Sequence, residues 1–269
     1  MVNTLFRHVL PGWLSVRQFR LFAGAAMLLL ALCNPVSAGE TVQLIGAKNL
    51  SENSLLAGVE MTMEPGWHTY WRHPGDSGIA PTFDWSKSEN VANIELLWPA
   101  PRRFDQPDDL TVGYEGHIVW PVLIRPLDPT RPVKLHLSMH YGVCSDICVP
   151  GEAELNLTLP EDATEVGGEV IRQFLARVPT APRDDMQIAA HADKDRLTIS
   201  ISDLDEEPDL IVEGPAGIWF GKPVIERIDK SIRYTMPYER TGDALLKDKD
   251  VVLIFSGTHT AIKATRKVK

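Results

Sequence analysis

From Thr41 to Leu159 apolar and polar residues alternate in short runs broken by Pro, Gly and Asp. The runs predict strands at Thr41–Ile45, Ser54–Met63, Ile94–Trp98, His117–Ile124, Val133–Tyr141 and Ala153–Leu159. Short strands with frequent turn residues between them read as an antiparallel sandwich. Pro99, Pro101, Pro121, Pro132, Pro150 and Pro160 are expected at strand edges, where a missing N–H costs least. Between Thr164 and Val178 the period changes. Val166, Val170, Ile171, Phe174, Leu175 and Val178 recur at helical spacing and predict one amphipathic helix, weakened at its start by Gly167 and Gly168 and closed by Pro179 and Pro182. Strand patterns then resume. Asp193-Lys194-Asp195 and Asp229-Lys230-Ser231 read as hairpin turns, Val251–Phe255 as a buried strand, and Thr258–Thr265 as its returning neighbour. The expected fold is all-β: a sandwich over 39–160, a helical joint over 161–183 and a second β-rich domain over 184–269, with no convincing internal repeat.

The first 38 residues follow another logic. Arg7, Arg17 and Arg20 precede the apolar run Leu21–Cys33, and Val36-Ser37-Ala38 supplies small residues where a signal peptidase cuts. The run falls short of the roughly 20 residues that cross a bilayer, so a cleaved secretory signal is expected, ending at Ala38. Leu32 before Cys33 argues against a lipoprotein site. Cleavage would remove three arginines and no acidic residue, taking the formal charge from −9 to −12. A chain this acidic, with no basic block interleaved with aromatics, gives little support for nucleic-acid binding. With no later apolar run of spanning length, the mature protein is expected to be periplasmic, without stable membrane insertion.

Of the three cysteines, cleavage leaves Cys144 and Cys148. Fully extended, Cys144-Ser145-Asp146-Ile147-Cys148 would hold the two Cα atoms about 13 Å apart, beyond disulfide reach. A turn at Ser145–Ile147 would instead oppose the cysteines across a hairpin, at about 4.5–5.5 Å. A loop this short stabilises by only about 2 kcal/mol in the chain-entropy account, against about 4.7 for a hundred-residue loop. Such a pair suits opening and closing better than stapling. A modest structural disulfide in an interaction module remains the plainer alternative.

Cys144 to Pro150, in its strand setting, resembles the amino-terminal domain of the membrane thiol:disulfide interchange protein DsbD and of the related ScsB proteins. The resemblance includes Gly66-Trp67-His68-Thr69-Tyr70-Trp71-Arg72, Pro74-Gly75-Asp76-Ser77-Gly78, Pro81, Trp98-Pro99-Ala100-Pro101, Gly113-Tyr114-Glu115-Gly116 and Pro121-Val122, spanning roughly 40–160. It implies an immunoglobulin-like fold and a thiol–disulfide oxidoreductase component with no cofactor. Cys144 and Cys148 would be the exchanging thiols, passing electrons to thioredoxin-fold or other disulfide-bearing periplasmic proteins. It also implies a cap loop with aromatic residues over the pair, which Phe104 and Tyr114 bracket here. Two departures matter. The cysteines are two residues closer than in the best-known DsbD pattern, and this sequence carries no membrane spans or second CxxC-like motif, so a separate membrane electron-transfer protein would have to recharge the pair. In exchange one thiolate attacks a partner disulfide and the second cysteine resolves the mixed disulfide. His140 would favour a thiolate if near and protonated, and Asp146 would oppose it.

A rival chemistry is copper. His136, Met139, His140, Cys144 and Cys148 form a Cu(I)-type ligand set, with Met61, Met63 and His68 as a looser second cluster. Strand alternation, however, puts Met139 on the face opposite His136 and His140. Gly75-Asp76-Ser77-Gly78 copies a serine-protease tetrad, but His68 and His73 almost adjoin Ser77, so a tight turn explains it better. Trp67, Trp71, Trp85 and Trp98 are expected in the core rather than in a ligand platform. Lys263, Arg266, Lys267 and Lys269 read as a solvated tail.

Overall fold

The computed structural model describes residues 39–51, 54–75, 78–105 and 110–269; the leader read over 1–38 lies outside the described residues. The first half is built from β1 (Thr41–Ser51), β2 (Ser54–Thr62), β3 (His68–Gly75), β4 (Thr82–Asp84), β5 (Val91–Leu96), β6 (Arg102–Asp105), β7 (Leu110–Glu115), β8 (His117–Pro126), β9 (Val133–Cys144), β10 (Cys148–Leu159) and β11 (Ala163–Thr164). One sheet runs β11-β1-β2-β8-β5. The other runs β10-β9-β3-β7-β6, with β4 also on β9. Apart from the parallel β1–β11 contact, these pairs are antiparallel. The two sheets enclose an immunoglobulin-like core in which Trp71, Trp120, Leu135, Leu137, Met139 and Val143 are almost fully buried. Rings of Tyr114, Phe83 and Trp98 meet Trp120 edge-on.

All six strands read from alternation are present. Prolines are less confined than expected. Pro121 lies inside β8, between β2 and β5, but its carbonyl accepts the N–H of Leu97 just past the end of β5. Its nitrogen therefore faces the side where that ladder has stopped, and no bond to β2 is lost. Trp67, Trp85 and Trp98 pack half-buried against the core that contains Trp71. Pro74 and Gly75 end β3, while Asp76 and Ser77 lie outside the described residues.

Helix α1 (Glu165–Leu175) is capped by Thr164, whose Oγ1 accepts the Gly167 N–H at 2.9 Å. Buried Ile171 and Phe174 join the first core. The glycines that weaken the helix have a packing reason. A Cβ on Gly167 would lie 2.7 Å from the Gly46 carbonyl oxygen, and one on Gly168 would lie 3.3 Å from the Ala47 Cβ. The helix thus comes almost backbone to backbone with β1.

The second half comprises β12 (Ile188–Asp193), β13 (Arg196–Ser202), β14 (Asp209–Glu213), β15 (Ile218–Phe220), β16 (Val224–Ile228), β17 (Ser231–Arg240), β18 (Asp250–Ser256) and β19 (Ala261–Lys267). One sheet runs β12-β13-β17-β15 with β16 also on β17, and the other runs β14-β18-β19. Both hairpin turns form, with Lys194 and Asp229 at positive φ of 48° and 53°. The basic C-terminal stretch lies mostly in β19, with Lys263, Lys267 and Lys269 exposed as expected. Arg266 Nε donates to the Ile188 carbonyl at 3.0 Å, and Val268 is fully buried. The β14-β18-β19 sheet serves two cores: Leu210, Leu253 and Phe255 face the second, while Ile211 and Ile254 join the first. Arg72 of β3 pairs with Glu213 of β14, and Arg103 of β6 with Asp209 at 3.4 Å.

Candidate redox site

The cysteines end two strands that pair in register from Val133↔Leu159 to Cys144↔Cys148, leaving Ser145-Asp146-Ile147 as the connecting loop. The pair is joined by a disulfide with a Cα–Cα distance of 4.1 Å. Alternation along β9 sets the side on which it sits. Leu135, Leu137, Met139, Tyr141 and Val143 point into the core, while Lys134, His136, Ser138, His140, Gly142 and Cys144 point outward. Along most of the strand the outward positions are exposed or half-buried. At Gly142 and Cys144 they become buried because other side chains cover them.

The cover comes chiefly from β3, which is buried on both faces from His68 to Trp71. A Cβ on Gly142 would lie 2.7 Å from the Ile79 Cβ and 3.1 Å from the Tyr70 ring, so both side chains rest on that glycine. Tyr70 is 1% exposed, and its hydroxyl lies 2.9 Å from Cys148 Sγ. Thr69, on the opposite face, donates its hydroxyl to the Gly142 carbonyl at 2.8 Å and ties β3 to β9 beside the pair.

One row of register partners crosses four adjacent strands: Cys148 on β10, Cys144 on β9, His68 on β3 and Glu115 on β7. Residues opposed in register share a face, with Cβ atoms about 4.5–5.5 Å apart. The His68 ring stacks on Phe104 at 4.9 Å and meets the edge of Tyr70 at 5.4 Å. Burial draws the His68 imidazole below its usual 6.5, partly offset by the Glu115 carboxylate. The two cysteines are unequally exposed: Cys144 is 8% exposed, whereas Cys148 is an exposed residue, beside Ile147 at 63%.

The residues singled out in the sequence divide clearly. Phe104 lies over His68 on the outer face. Tyr114 is buried in the core, its hydroxyl donating to the Pro99 carbonyl at 2.8 Å, and burial pushes that hydroxyl well above its usual range. Asp146 is exposed in the loop. His140 shares the outer face with Cys144 but lies four residues away, about 13 Å along the strand, and pairs with Glu152 at 3.3 Å. The copper set is not assembled. Met139 is fully buried on the core side, His136 pairs with Glu154 at 2.8 Å, and both sulfurs are in the disulfide. Met61 and Met63 are also core residues.

His68 and Tyr70 are the neighbours that the sequence reading did not place at the site. Both lie within the quoted Gly66–Arg72 stretch. Reading that stretch as a strand would have put them two apart on one face.

Residues 41–160 match the family described as thiol:disulfide interchange protein DsbD, N-terminal. Among solved structures, the N-terminal periplasmic domain of ScsB from Proteus mirabilis is similar, with a TM-score of 0.73 and 23% identity, over 88% of this chain and 96% of that chain. That likeness is one of fold, and it extends beyond 41–160 into the second β-rich half. No curated protein matches the chain.

Proposed function

We propose, from the premise that residues 41–160 form a DsbD-type N-terminal domain, that Cys144 and Cys148 carry thiol–disulfide exchange between a membrane electron donor and oxidised partner proteins outside the cytoplasm. The observation that carries this reading is the unequal exposure of an in-register pair at the open end of a hairpin. Cys148, as the more exposed residue, is the one a partner would reach, while the covered Cys144 would resolve the resulting mixed disulfide. The hairpin ladder fixes both Cα positions, so opening the bond requires no rearrangement of β9 or β10.

Export through a signal peptide at 1–38 belongs to the same proposal, as does a division of labour between residues 39–160 and 184–269. Among the described residues no helix is long and apolar enough to cross a membrane. In this reading the electrons reach the pair by thiol–disulfide exchange at Cys148.

The test is the reduction potential of the pair in defined thiol buffers, with partner trapping. A potential above about −300 mV marks a bond suited to exchange, and a value well below it marks a structural staple. The trapping variant is Cys144→Ser, which keeps the exposed sulfur and removes the resolving one. It should accumulate mixed disulfides with thioredoxin-fold proteins. Absence of such adducts, with a very low potential, would overturn the proposal.

A further inference from the structure

Resting on the exchange reading above, we propose that His68 is the proton acceptor for Cys144: its neutral imidazole takes the Cys144 thiol proton so that Cys144 can attack the mixed disulfide held on Cys148.

The argument begins with the need. A free cysteine thiol titrates near 8.5, and burial disfavours its thiolate further. Cys144 is 8% exposed, so it is a poor nucleophile at neutral pH unless a neighbour removes its proton. The neighbour directly across the strand is His68, in register with Cys144 and on the same face. Its ring is confined between Phe104 and Tyr70 and the residue is 8% exposed, so the imidazole stays on the face it shares with Cys144 rather than swinging into solvent.

Among the described residues, the charged and titratable groups around His68 are few. Its own strand contributes the Tyr70 hydroxyl. From β7 comes Glu115, which is 3.9 Å from Arg102 of β6, and from β9 and β10 come the two cysteines. Burial outweighs Glu115 and keeps the imidazole uncharged near neutral pH, the form a proton acceptor needs.

The step balances as follows. Cys148 thiolate attacks a partner disulfide, forming the Cys148–partner bond and releasing the partner's other sulfur as thiolate. His68 then takes the proton of Cys144, whose thiolate attacks Cys148 Sγ. The Cys144–Cys148 bond forms, the Cys148–partner bond breaks, and its electron pair leaves on the partner sulfur. The imidazolium returns its proton to that thiolate or to water. The pair is oxidised by two electrons and the partner disulfide is reduced.

Reduced protein mixed with 5,5′-dithiobis(2-nitrobenzoate) in a stopped-flow instrument separates the stages. The first thionitrobenzoate is released by Cys148 and the second by Cys144. His68→Gln should leave the first phase within about twofold and slow the second at least about tenfold at pH 7. The pH midpoint of the second phase should move from below 6.5 up toward the free-thiol value of about 8.5. An unchanged second phase in a folded His68→Gln variant overturns the proposal. Should that variant fail to fold, the His68 imidazole is titrated by NMR in oxidised and reduced wild type. The proposal requires two different curves and falls if they coincide. Failure of the exchange reading looks different: wild type itself would release no second thionitrobenzoate, and the role of His68 would fall with it.

Discussion

The Tyr70 hydroxyl lies 2.9 Å from Cys148 Sγ, although the two residues are 78 apart in the chain. The ring is buried while Cys148 is an exposed residue, so the hydroxyl reaches outward from the cover of the site to that cysteine's sulfur. In the reduced protein that hydroxyl can donate to a Cys148 thiolate and favour the charged form.

Tyr70→Phe keeps the ring and removes only the donor. The Cys148 thiol should titrate about one pH unit higher, equivalent to about 1.4 kcal/mol, while stability falls by about 1 kcal/mol or less. Iodoacetamide alkylation of the reduced protein as a function of pH measures the first effect, and urea unfolding measures the second. An unshifted alkylation profile would remove Tyr70 from the chemistry.

Reducing the disulfide should destabilise the protein only modestly. The cysteines are four apart in sequence and end a ladder that is complete without the bond. Loop closure of this size is worth about 2 kcal/mol. Thermal melts with and without reductant should differ by about 4–8 °C for a chain of this size. A loss several-fold greater would show that the bond holds the fold.

Two glycines beside the site should differ in tolerance. A Cβ on Gly142 meets the Ile79 and Tyr70 side chains, which can shift, whereas one on Gly113 would lie 1.9 Å from the Thr69 carbonyl oxygen. Gly142→Ala should cost about 1–2 kcal/mol and Gly113→Ala about 3 kcal/mol or more. Gly142→Ala should also lower Cys148 alkylation near neutral pH, because it displaces the hydroxyl that favours the thiolate. Equal stabilities by urea titration would contradict the close β3–β7 approach.

The loop between β18 and β19 should carry an acid-dependent share of stability. Glu206 is held below its usual 4.5 chiefly by the Thr260 hydroxyl, with further bonds from the backbone N–H groups of His259 and Thr258 at 2.9 and 3.0 Å. A carboxylate with a depressed folded pKa stabilises fully above its unfolded value, and that contribution is lost as pH falls through the folded one. Wild type should therefore melt above Glu206→Gln at pH 6–7, and the gap should close below about 4.5. A gap independent of pH would rule out the ionised carboxylate as its source.

What the sequence disclosed follows from what its local pattern records. β9 and β10 were legible because most of their outward side is open to water, so alternation is visible, and the turn between them placed the cysteines face to face. β3 was not legible. Trp67 to Arg72 has no apolar–polar contrast because β3 is covered on both faces, and that covering is what buries the site. The choice between Phe104 and Tyr114 also turned on which sheet face each occupies, and spacing alone does not carry that. Gly167 and Gly168 looked like defects in a helix because propensity records the helix and not the strand against which it packs.

The β14-β18-β19 sheet has a further consequence. It is a party wall: Ile211 and Ile254 line one room, while Leu210, Leu253 and Phe255 line the other. Excising residues 39–160 strips cover from Ile211 and Ile254, and excising the second half takes those two side chains out of the core beneath the cysteine-bearing sandwich. Residues 38–269 accordingly form one compact body, and calorimetry of that body should give a single heat-absorption peak rather than two. The frame that carries the cysteine hairpin is thus braced by Ile211 and Ile254, residues more than sixty positions down the chain from Cys148.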